Sequence, residues 1–365
     1  MGIGLSQNIR RAYRQLCFYY EPGDEVFVFG FSRGAYTARS LVGMIGSAGL
    51  LKCEHCTSEL EQKVWEFYRT PPNDRLPGNW VALTPYVHNP KEFRIACLGV
   101  FDTVGALGVP LQHFRIYNRD LYEFHNVELS STVEVNLHAL AIDEHRVPFQ
   151  AAIWRKPKFK VYQSVTEQVW FPGAHADIGG GYLSDQDRTN RADSALDDIS
   201  LQWMIGRVKH YYPNMPLTQP DQNSKRAFAV QHDSRTLVYK SLPLGLRSVA
   251  NYPVEIGWRQ TCVSRDRHSE PTGEMVHASA IERLGSEIEV SERGQRYMPA
   301  NLLSVLQKID ATYRGTLKSG EYEIPVVGWS GHLLDPKKAH ACEEALDMLR
   351  QADDRLGRSG RRAGS

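Results

Sequence analysis

Apolar runs of strand length alternate with amphipathic stretches along the first half of the chain. The runs with the length of buried strands lie at residues 26–29, 94–101, 133–142, 159–165 and 168–171. Between them, residues 6–20 and 195–211 carry apolar side chains at helical spacing. Buried strands that alternate with helices predict an α/β fold with a doubly wound, mostly parallel sheet.

The pattern changes beyond about residue 213, where apolar runs become short and no strand–helix alternation is visible. We therefore expect a catalytic core over 1–212 and a helical or mixed appendage over 213–349 that packs on it. The basic segment 350–365 is expected to be a disordered tail. Residues 1–24 hold only a predicted helix, so the core is expected to lack N-terminal strands before residue 26.

Ser32 lies in Gly-Phe-Ser-Arg-Gly, residues 30–34, between the first apolar run and a predicted helix. G-x-S-x-G between a strand and a helix is the setting of a nucleophile elbow, although a structural Gly-Ser turn is the alternative. A Cβ at either glycine is expected to crowd the strand against the helix. The backbone N–H of Arg33 then becomes one donor of an oxyanion hole, with the second donor left open.

A serine nucleophile needs a histidine to take its proton and a carboxylate to orient that histidine. Asp102 and His175 each follow an apolar run and lie in a glycine-containing turn. Their order after Ser32 is the order found in hydrolases of this kind. The sequence predicts Ser32 as nucleophile, Asp102 as acid and His175 as base.

Other residues compete for two of these roles. Asp177 and Asp143 are alternative acids, although carboxylates at such positions also cap loops. His277 is an alternative base because it comes later in the chain, but it precedes a helix-like stretch rather than ending a long strand.

The charge balance of 43 basic and 42 acidic residues argues against a nucleic-acid partner. No apolar run reaches the roughly 18 residues needed to cross a bilayer, and the N-terminus lacks the pattern of a secretory signal peptide. The expected location is cytoplasmic, or outside the cell after export without a cleavable signal. Contact of the basic tail with an anionic membrane surface is the alternative to a frayed terminus.

The six cysteines are scattered and predict no disulfide framework. Residues 53–56, Cys-Glu-His-Cys, have the spacing of half a zinc site, but no second half follows. We therefore expect reduced, mostly buried thiols, no metal site and no cofactor.

Four motifs occur in order along the chain: GFSRGAYTAR at 30–39, FDTVG at 101–105, ALAIDE at 139–144 and WFPGAHADIGGGY at 170–182. With these motifs the chain resembles the α/β-hydrolase family that contains the catalytic domain of type VI secretion phospholipase effectors. The resemblance implies a serine esterase, with phospholipid substrates in secreted members and the roles above for Ser32, Asp102 and His175. A secretion-apparatus or immunity partner is compatible with the resemblance, but the sequence does not identify one. The opening strand of the family, which ends in Asp-Gly-Thr, has no counterpart here.

A lipid or other acyl-ester substrate predicts an apolar groove near Ser32, with the aromatic-bearing segment 114–124 as its cover. The alternative function is a catalytically impaired homologue that acts as a binding or interaction module. Intact Ser32, Asp102 and His175 favour the enzyme.

Overall fold

The computed structural model describes residues 3–104, 129–156, 164–182, 196–219, 223–241, 244–254, 270–291 and 293–357. The chain forms two compact units. The first unit comprises residues 1–137 and 152–166, and the second comprises 138–151 and 167–365. The predicted cover segment 114–124 and the predicted strand residues 159–163 lie outside the described part of the chain.

The described elements of the first unit are α1 (Ile3–Tyr19), β1 (Val26–Phe31), α2 (Arg33–Ala48), α3 (Ser58–Arg69), α4 (Pro77–Leu83), β2 (Ile95–Phe101) and the first half of β3 (Val133–Ala141). β1 and β2 are parallel, with Val28 opposite Leu98 and Phe31 opposite Phe101. β2 is buried along nearly its whole length, as a continuous apolar run predicts for a parallel strand covered on both faces.

The core of the first unit is built around α1 and α2. Ile9, Tyr13 and Cys17 form a fully buried stripe at helical spacing on α1. The Tyr13 hydroxyl donates to Gly49 O at 2.8 Å and accepts from Leu51 N at 3.0 Å, so the phenol of this buried tyrosine is satisfied.

Residues 152–154 close the same core. Arg39 of α2 is buried and donates to Ala152 O, and its guanidinium carbon lies 4.8 Å from the centroid of the buried Trp154 ring. Burial lowers the pKa of Arg39 to about 9. The backbone of this segment is tied to the end of β2, because Ala152 N donates to Thr103 O at 2.8 Å.

The described elements of the second unit are the second half of β3, most of β4 (Val165–Phe171), α5 (His175–Gly179), α6 (Leu196–Tyr211), β5 (Glu274–His277), α7 (Ala278–Arg283), β6 (Glu287–Val290), β7 (Arg293–Arg296), α8 (Ala300–Arg314), β8 (Val326–Val327), β9 (Leu333–Leu334) and α9 (Ala339–Leu356). β5 is parallel to both β4 and β8, whereas β9 is antiparallel to β8. β6 and β7 form a separate antiparallel pair. The sheet is thus mostly parallel, and the protein has α/β character.

The strands of each unit lie side by side in chain order. The order is β1-β2-β3 in the first unit and β3-β4-β5-β8-β9 in the second. A doubly wound sheet reverses its strand order at one point, and the described strands show no such reversal.

Two expectations for the second half of the chain differ from the structure. Residues 213–349, predicted as an appendage, supply β5 and β8 to the parallel sheet of the second unit. Residues 350–356, predicted as disordered tail, are the last turns of α9, and 358–365 lie outside the described residues.

Candidate active site

Ser32 occupies the turn between β1 and α2 in a left-handed backbone conformation. Its φ is 56° and its ψ is −122°, and it is the N-cap residue of α2. The Ser32 N–H donates to Phe101 O at 3.0 Å, and Ser32 O accepts from Tyr36 N at 3.1 Å. A non-glycine residue held at this φ and ψ is strained, as a nucleophile elbow requires.

The two glycines of the elbow differ. A Cβ on Gly30 would lie 2.6 Å from Gly34 O and 2.7 Å from Ala35 N, so only glycine fits where β1 meets α2. A Cβ on Gly34 would meet no described atom within 4 Å. The predicted crowding is confirmed at Gly30 and is wrong at Gly34.

Asp102 lies at the matching position of the neighbouring strand. It follows Phe101, the register partner of Phe31, has a φ of 40° and is fully buried. Because paired strands are about 4.8 Å apart, Ser32 and Asp102 are neighbours at one edge of the first unit's sheet.

Arg33 is the first residue of α2 and is exposed. The first N–H groups of a helix have no partner within that helix and carry its partial positive charge. This end of α2 therefore has the electrostatic character of an oxyanion site.

His175 belongs to the second unit, where it is the first residue of α5 and is buried. Its ring meets the ring of Phe149 edge-on, with centroids 5.2 Å apart and planes at 72°. The guanidinium carbon of Arg146 lies 3.5 Å from the centroid of the same Phe149 ring.

The backbone of the His175 turn is held by three different buried carboxylates. The N–H groups of residues 173, 174 and 175 donate in turn to Asp143 Oδ2 at 2.7 Å, to Asp177 Oδ2 at 2.9 Å and to Glu144 Oε2 at 3.3 Å. Both alternative acids from the sequence thus bind backbone N–H groups of this turn, as loop-capping carboxylates do.

Each of these carboxylates has further donors. The Tyr297 hydroxyl donates to Asp143 Oδ2 at 2.9 Å. Glu144 receives Arg146 Nε at 2.9 Å and Arg146 Nη2 at 2.8 Å on its two oxygens, and Ser234 Oγ donates to it at 3.0 Å. These two acceptors are therefore fixed by separate parts of the second unit.

Burial and charge act differently on the two adjacent carboxyl groups. Burial raises the pKa of Asp143, and the hydrogen bonds it accepts only partly offset that effect. Burial also opposes ionisation of Glu144, but the hydrogen bonds from Arg146 and the charge of Arg247 outweigh it, so the pKa of Glu144 is lowered. Glu144 is accordingly a stable anion beneath the His175 turn.

Asp177 also binds a histidine that sequence reasoning missed. Its Oδ1 lies 2.6 Å from His232 Nδ1, and its Oδ2 accepts from His232 N at 3.1 Å. The His232 ring stacks on Tyr182 with centroids 3.8 Å apart, and 39% of the His232 side chain is exposed. The irregular segment around His232 has no periodicity that would have marked it.

His277, the alternative base, caps a helix. Its Nδ1 accepts from Ser279 N at 3.2 Å and lies 2.8 Å from Ser279 Oγ at the start of α7. The ring stacks on Phe171 and meets Trp329 edge-on. Burial lowers the pKa of His277 to about 3, so this imidazole is neutral near pH 7.

The predicted residues thus fall into two groups. The first unit carries Ser32, Arg33 and Asp102, and the second carries Asp143, His175, Asp177 and His277. A cavity of about 250 Å³ in the first unit is lined by residues that include Ile45, Trp80, His88 and Phe93. It adjoins the C-terminal end of the 16-residue α2, whose length of about 24 Å separates it from Ser32.

The cysteines show no pairing among the described residues. Cys17 and Cys97 are buried, Cys56 and Cys342 are half-buried, and Cys53 is exposed, all with free thiols. Fewer of the described cysteine thiols are thus buried than the sequence predicted. Within the described part of the chain, no three histidine, cysteine or acidic side chains come together as metal ligands.

Comparison with known families decides the classification. The model of the family described as "T6SS, Phospholipase effector Tle1-like, catalytic domain" matches residues 1–207, more than half of the chain. The chain belongs to this family. The resemblance seen in the four motifs is thereby confirmed, and the Tle1-like family supports a phospholipase-type hydrolytic function.

Individual relatives of this Tle1-like chain are distant. "Uncharacterized protein YEL023C" of Saccharomyces cerevisiae is 31% identical over 155 residues, which cover 40% of this chain and 21% of that protein. The match thus spans about a fifth of that relative's length. The solved "Structure of the Tle1 effector bound to the VgrG spike from the Type 6 secretion system" is 22% identical and covers 50% of this chain and 30% of the other, with a TM-score of 0.26. So low a score carries no argument about the fold.

No helix in the described part of this Tle1-like chain combines the length and the apolar character that a membrane crossing requires.

Proposed function

We propose that the chain is a serine hydrolase that cleaves carboxylic esters and is of the lipase or phospholipase type. The observation that carries the proposal is the backbone of Ser32, which is strained between a buried strand and a helix and can be reached only because residue 30 is glycine. Membership of the Tle1-like phospholipase family supports the same reaction class.

In the proposed mechanism, Ser32 Oγ attacks the acyl carbon while the His175 imidazole takes the hydroxyl proton. Asp102 orients that imidazole and stabilises its charged form. The Arg33 N–H, at the positive end of α2, binds the oxyanion of the tetrahedral intermediate. His175 then returns the proton to the departing alcohol, and water releases the acyl group from Ser32 by the same sequence of steps.

The proposed substrates are acyl esters of lipids, with phospholipids favoured by the family. Peripheral contact with a membrane surface would deliver such substrates. The relative solved on the VgrG spike suggests a secretion-apparatus partner for this chain as well, and export without a cleavable signal would suit that partner. An immunity partner belongs to the same proposal. The mechanism uses no metal and no cofactor.

The decisive experiment compares the wild-type chain with Ser32→Ala, using p-nitrophenyl butyrate hydrolysis and labelling by a fluorophosphonate probe. We expect turnover to fall at least about 10⁴-fold and labelling to disappear, since a triad without its nucleophile retains little activity. Equal signals from both proteins, or none from either, would overturn the hydrolase and favour the interaction module.

His175→Ala and Asp102→Asn test the assigned roles. We expect both to lower kcat by at least about 10³-fold, because each removes part of one proton-transfer unit. A His175→Ala variant that keeps full labelling at Ser32 would remove His175 from the mechanism, and His232→Ala would then be the variant to compare.

A further inference from the structure

The His175 turn lacks the side-chain cap that most helices supply for themselves. The N-cap residue of α5 is Ala174, which has no side-chain acceptor. The N–H groups at a helix start need partners when they are buried. Here the partners come from outside the turn, or from further along it, as the carboxylates of Asp143, Asp177 and Glu144.

Of these three carboxylates, Glu144 binds the N–H of His175 itself. The Glu144 carboxylate is itself held in place by three hydrogen bonds from Arg146. The Arg146 guanidinium donates to both carboxylate oxygens, and the Arg146 backbone N–H donates at 2.7 Å. The Glu144 side chain is fully buried, whereas 15% of the Arg146 side chain is exposed.

Glu144 is also linked to the ring of His175 indirectly, through Arg146 and Phe149. The Arg146 guanidinium that it holds lies over the face of Phe149, and Phe149 in turn meets the His175 imidazole edge-on. Contacts thus link both the main chain and the ring of the proposed base to one buried carboxylate, that of Glu144.

We propose that Glu144 is a positioning residue that fixes the backbone of His175 directly and its ring through Arg146 and Phe149. The proposal rests on the proposed function, which gives His175 the proton transfer. Proton transfer needs hydrogen-bond geometry, and a displacement of about 1 Å can cost about a hundredfold in rate.

The chain contains a matched control for a role in folding alone. In the first unit, Arg10 donates to both oxygens of Glu61 at 2.7 Å, and Glu61 is buried to the same extent as Glu144. Glu61 contacts no candidate site residue in the described bonds. Loss of either carboxylate leaves an arginine without its partner, but only the loss of Glu144 removes the acceptor of the His175 N–H.

The experiment measures kcat and KM for p-nitrophenyl butyrate in Glu144→Ala, Glu144→Gln and Glu61→Ala at equal folded concentration. We expect Glu144→Ala to lower kcat about a hundredfold with KM within about threefold of wild type. Glu144→Gln should recover at least about tenfold of that loss, because its amide oxygen can still accept the His175 N–H. Glu61→Ala should keep kcat within about threefold. Equal losses of kcat in the two alanine variants would overturn the proposal.

Phe149→Leu keeps the test open if Glu144→Ala does not fold. This change removes the edge contact with the His175 ring and leaves no buried charge behind. We expect kcat to fall about tenfold with KM unchanged, and a wild-type kcat would contradict the ring route.

Hydrogen exchange of the peptide spanning residues 172–177 gives a readout that does not depend on turnover. Exchange should accelerate in Glu144→Ala and stay at the wild-type rate in Glu61→Ala, since only the first variant frees the His175 N–H. Unchanged exchange in Glu144→Ala would overturn the positioning role by itself. A wild-type chain without Ser32-dependent turnover would instead overturn the proposed function, and the catalytic consequence of Glu144 with it.

Discussion

Ser32 and His175 both follow a strand of a mostly parallel sheet and open a helix, but different forces hold them. Ser32 has a φ of 56° and no side-chain cap bond, and its turn is enforced by the close approach of Gly30 to the next helix. The residue before His175 has a relaxed φ of −83°, and three buried carboxylates bind the turn. Gly173 in the same turn has a φ of 116°, and a Cβ there would lie 2.6 Å from Asp177 Cβ, so this turn also requires a glycine. Both turns therefore depend on a steric fit that glycine provides, and the base's turn depends in addition on charge and hydrogen bonding.

Gly30→Ala tests the steric fit of the nucleophile's turn and should have the largest effect on stability. Its Cβ would lie 2.6 Å from a backbone oxygen, so we expect the free energy of unfolding to fall by about 3 kcal/mol, measured by urea denaturation. Gly34→Ala is the matched control, with open space around its Cβ, and should stay within about 1 kcal/mol of wild type. Equal effects of the two changes would contradict the steric account.

Asp177→Ala tests the hydrogen bonds that hold the His175 turn. It leaves the backbone N–H groups of Ala174 and His232 without their acceptor, so we expect a loss of about 2–3 kcal/mol in the same denaturation measurement. Asp177→Asn retains an acceptor oxygen and should lose less than half as much. An asparagine variant as unstable as the alanine variant would show that charge, rather than hydrogen bonding, holds the turn.

His277 sharpens the comparison with a second strand-end histidine of the second unit. Its folded-state pKa of about 3 is below the unfolded value of about 6.5, so only the unfolded chain binds the proton between these values. The stability contributed by the neutral ring is complete above pH 6.5 and is lost as the pH falls toward 3. From pH 7.5 to pH 5, wild type should lose about 2 kcal/mol more than His277→Asn, which keeps a capping oxygen but does not titrate in this range. Parallel pH profiles in urea denaturation would contradict the buried, neutral histidine.

Ser32→Gly should give the smallest effect and the opposite sign. Glycine adopts the backbone of this turn without strain, so we expect the variant to be about 1 kcal/mol more stable than Ser32→Ala, in which the Cβ remains. Both variants lack the hydroxyl and should be inactive. A glycine variant no more stable than the alanine variant would show that the elbow stores no strain.

The long apolar runs of the first half were sufficient to predict their elements. The run at 94–101 became β2 (Ile95–Phe101), and the amphipathic stretch 195–211 became α6 (Leu196–Tyr211). Continuous apolar character is a local signal, and burial on both faces of a parallel strand preserves it. The strand–turn–helix context of Ser32 was visible for the same reason.

The sequence pattern did not predict β5, because the burial of this strand depends on partners that are distant in the sequence. It has four residues, of which Glu274 and His277 are polar, although all four are buried. Glu274 is satisfied by Trp170 Nε1 at 3.0 Å, across 104 residues of sequence. No local pattern reports such a pairing, so the segment was predicted to be irregular.

The same limit applied to the candidate site. Asp143 and Asp177 could be singled out because they follow apolar runs, but their bonds to the His175 turn could not. Glu144 was visible only as part of a motif, since its bond to His175 spans 31 residues, and the bond between Asp177 and His232 spans 55.

The two compact units are interleaved along the chain, and this limits how the protein can be divided. Residues 152–166 return to the first unit after 138–151 have contributed to the second. A fragment that stops at Leu137 would lose Trp154 and Ala152, and Arg39 would then lack its aromatic cover and a carbonyl acceptor. Neither unit can therefore be expressed as one uninterrupted piece of the chain. A protease cut near residue 151 should lower the stability of both units.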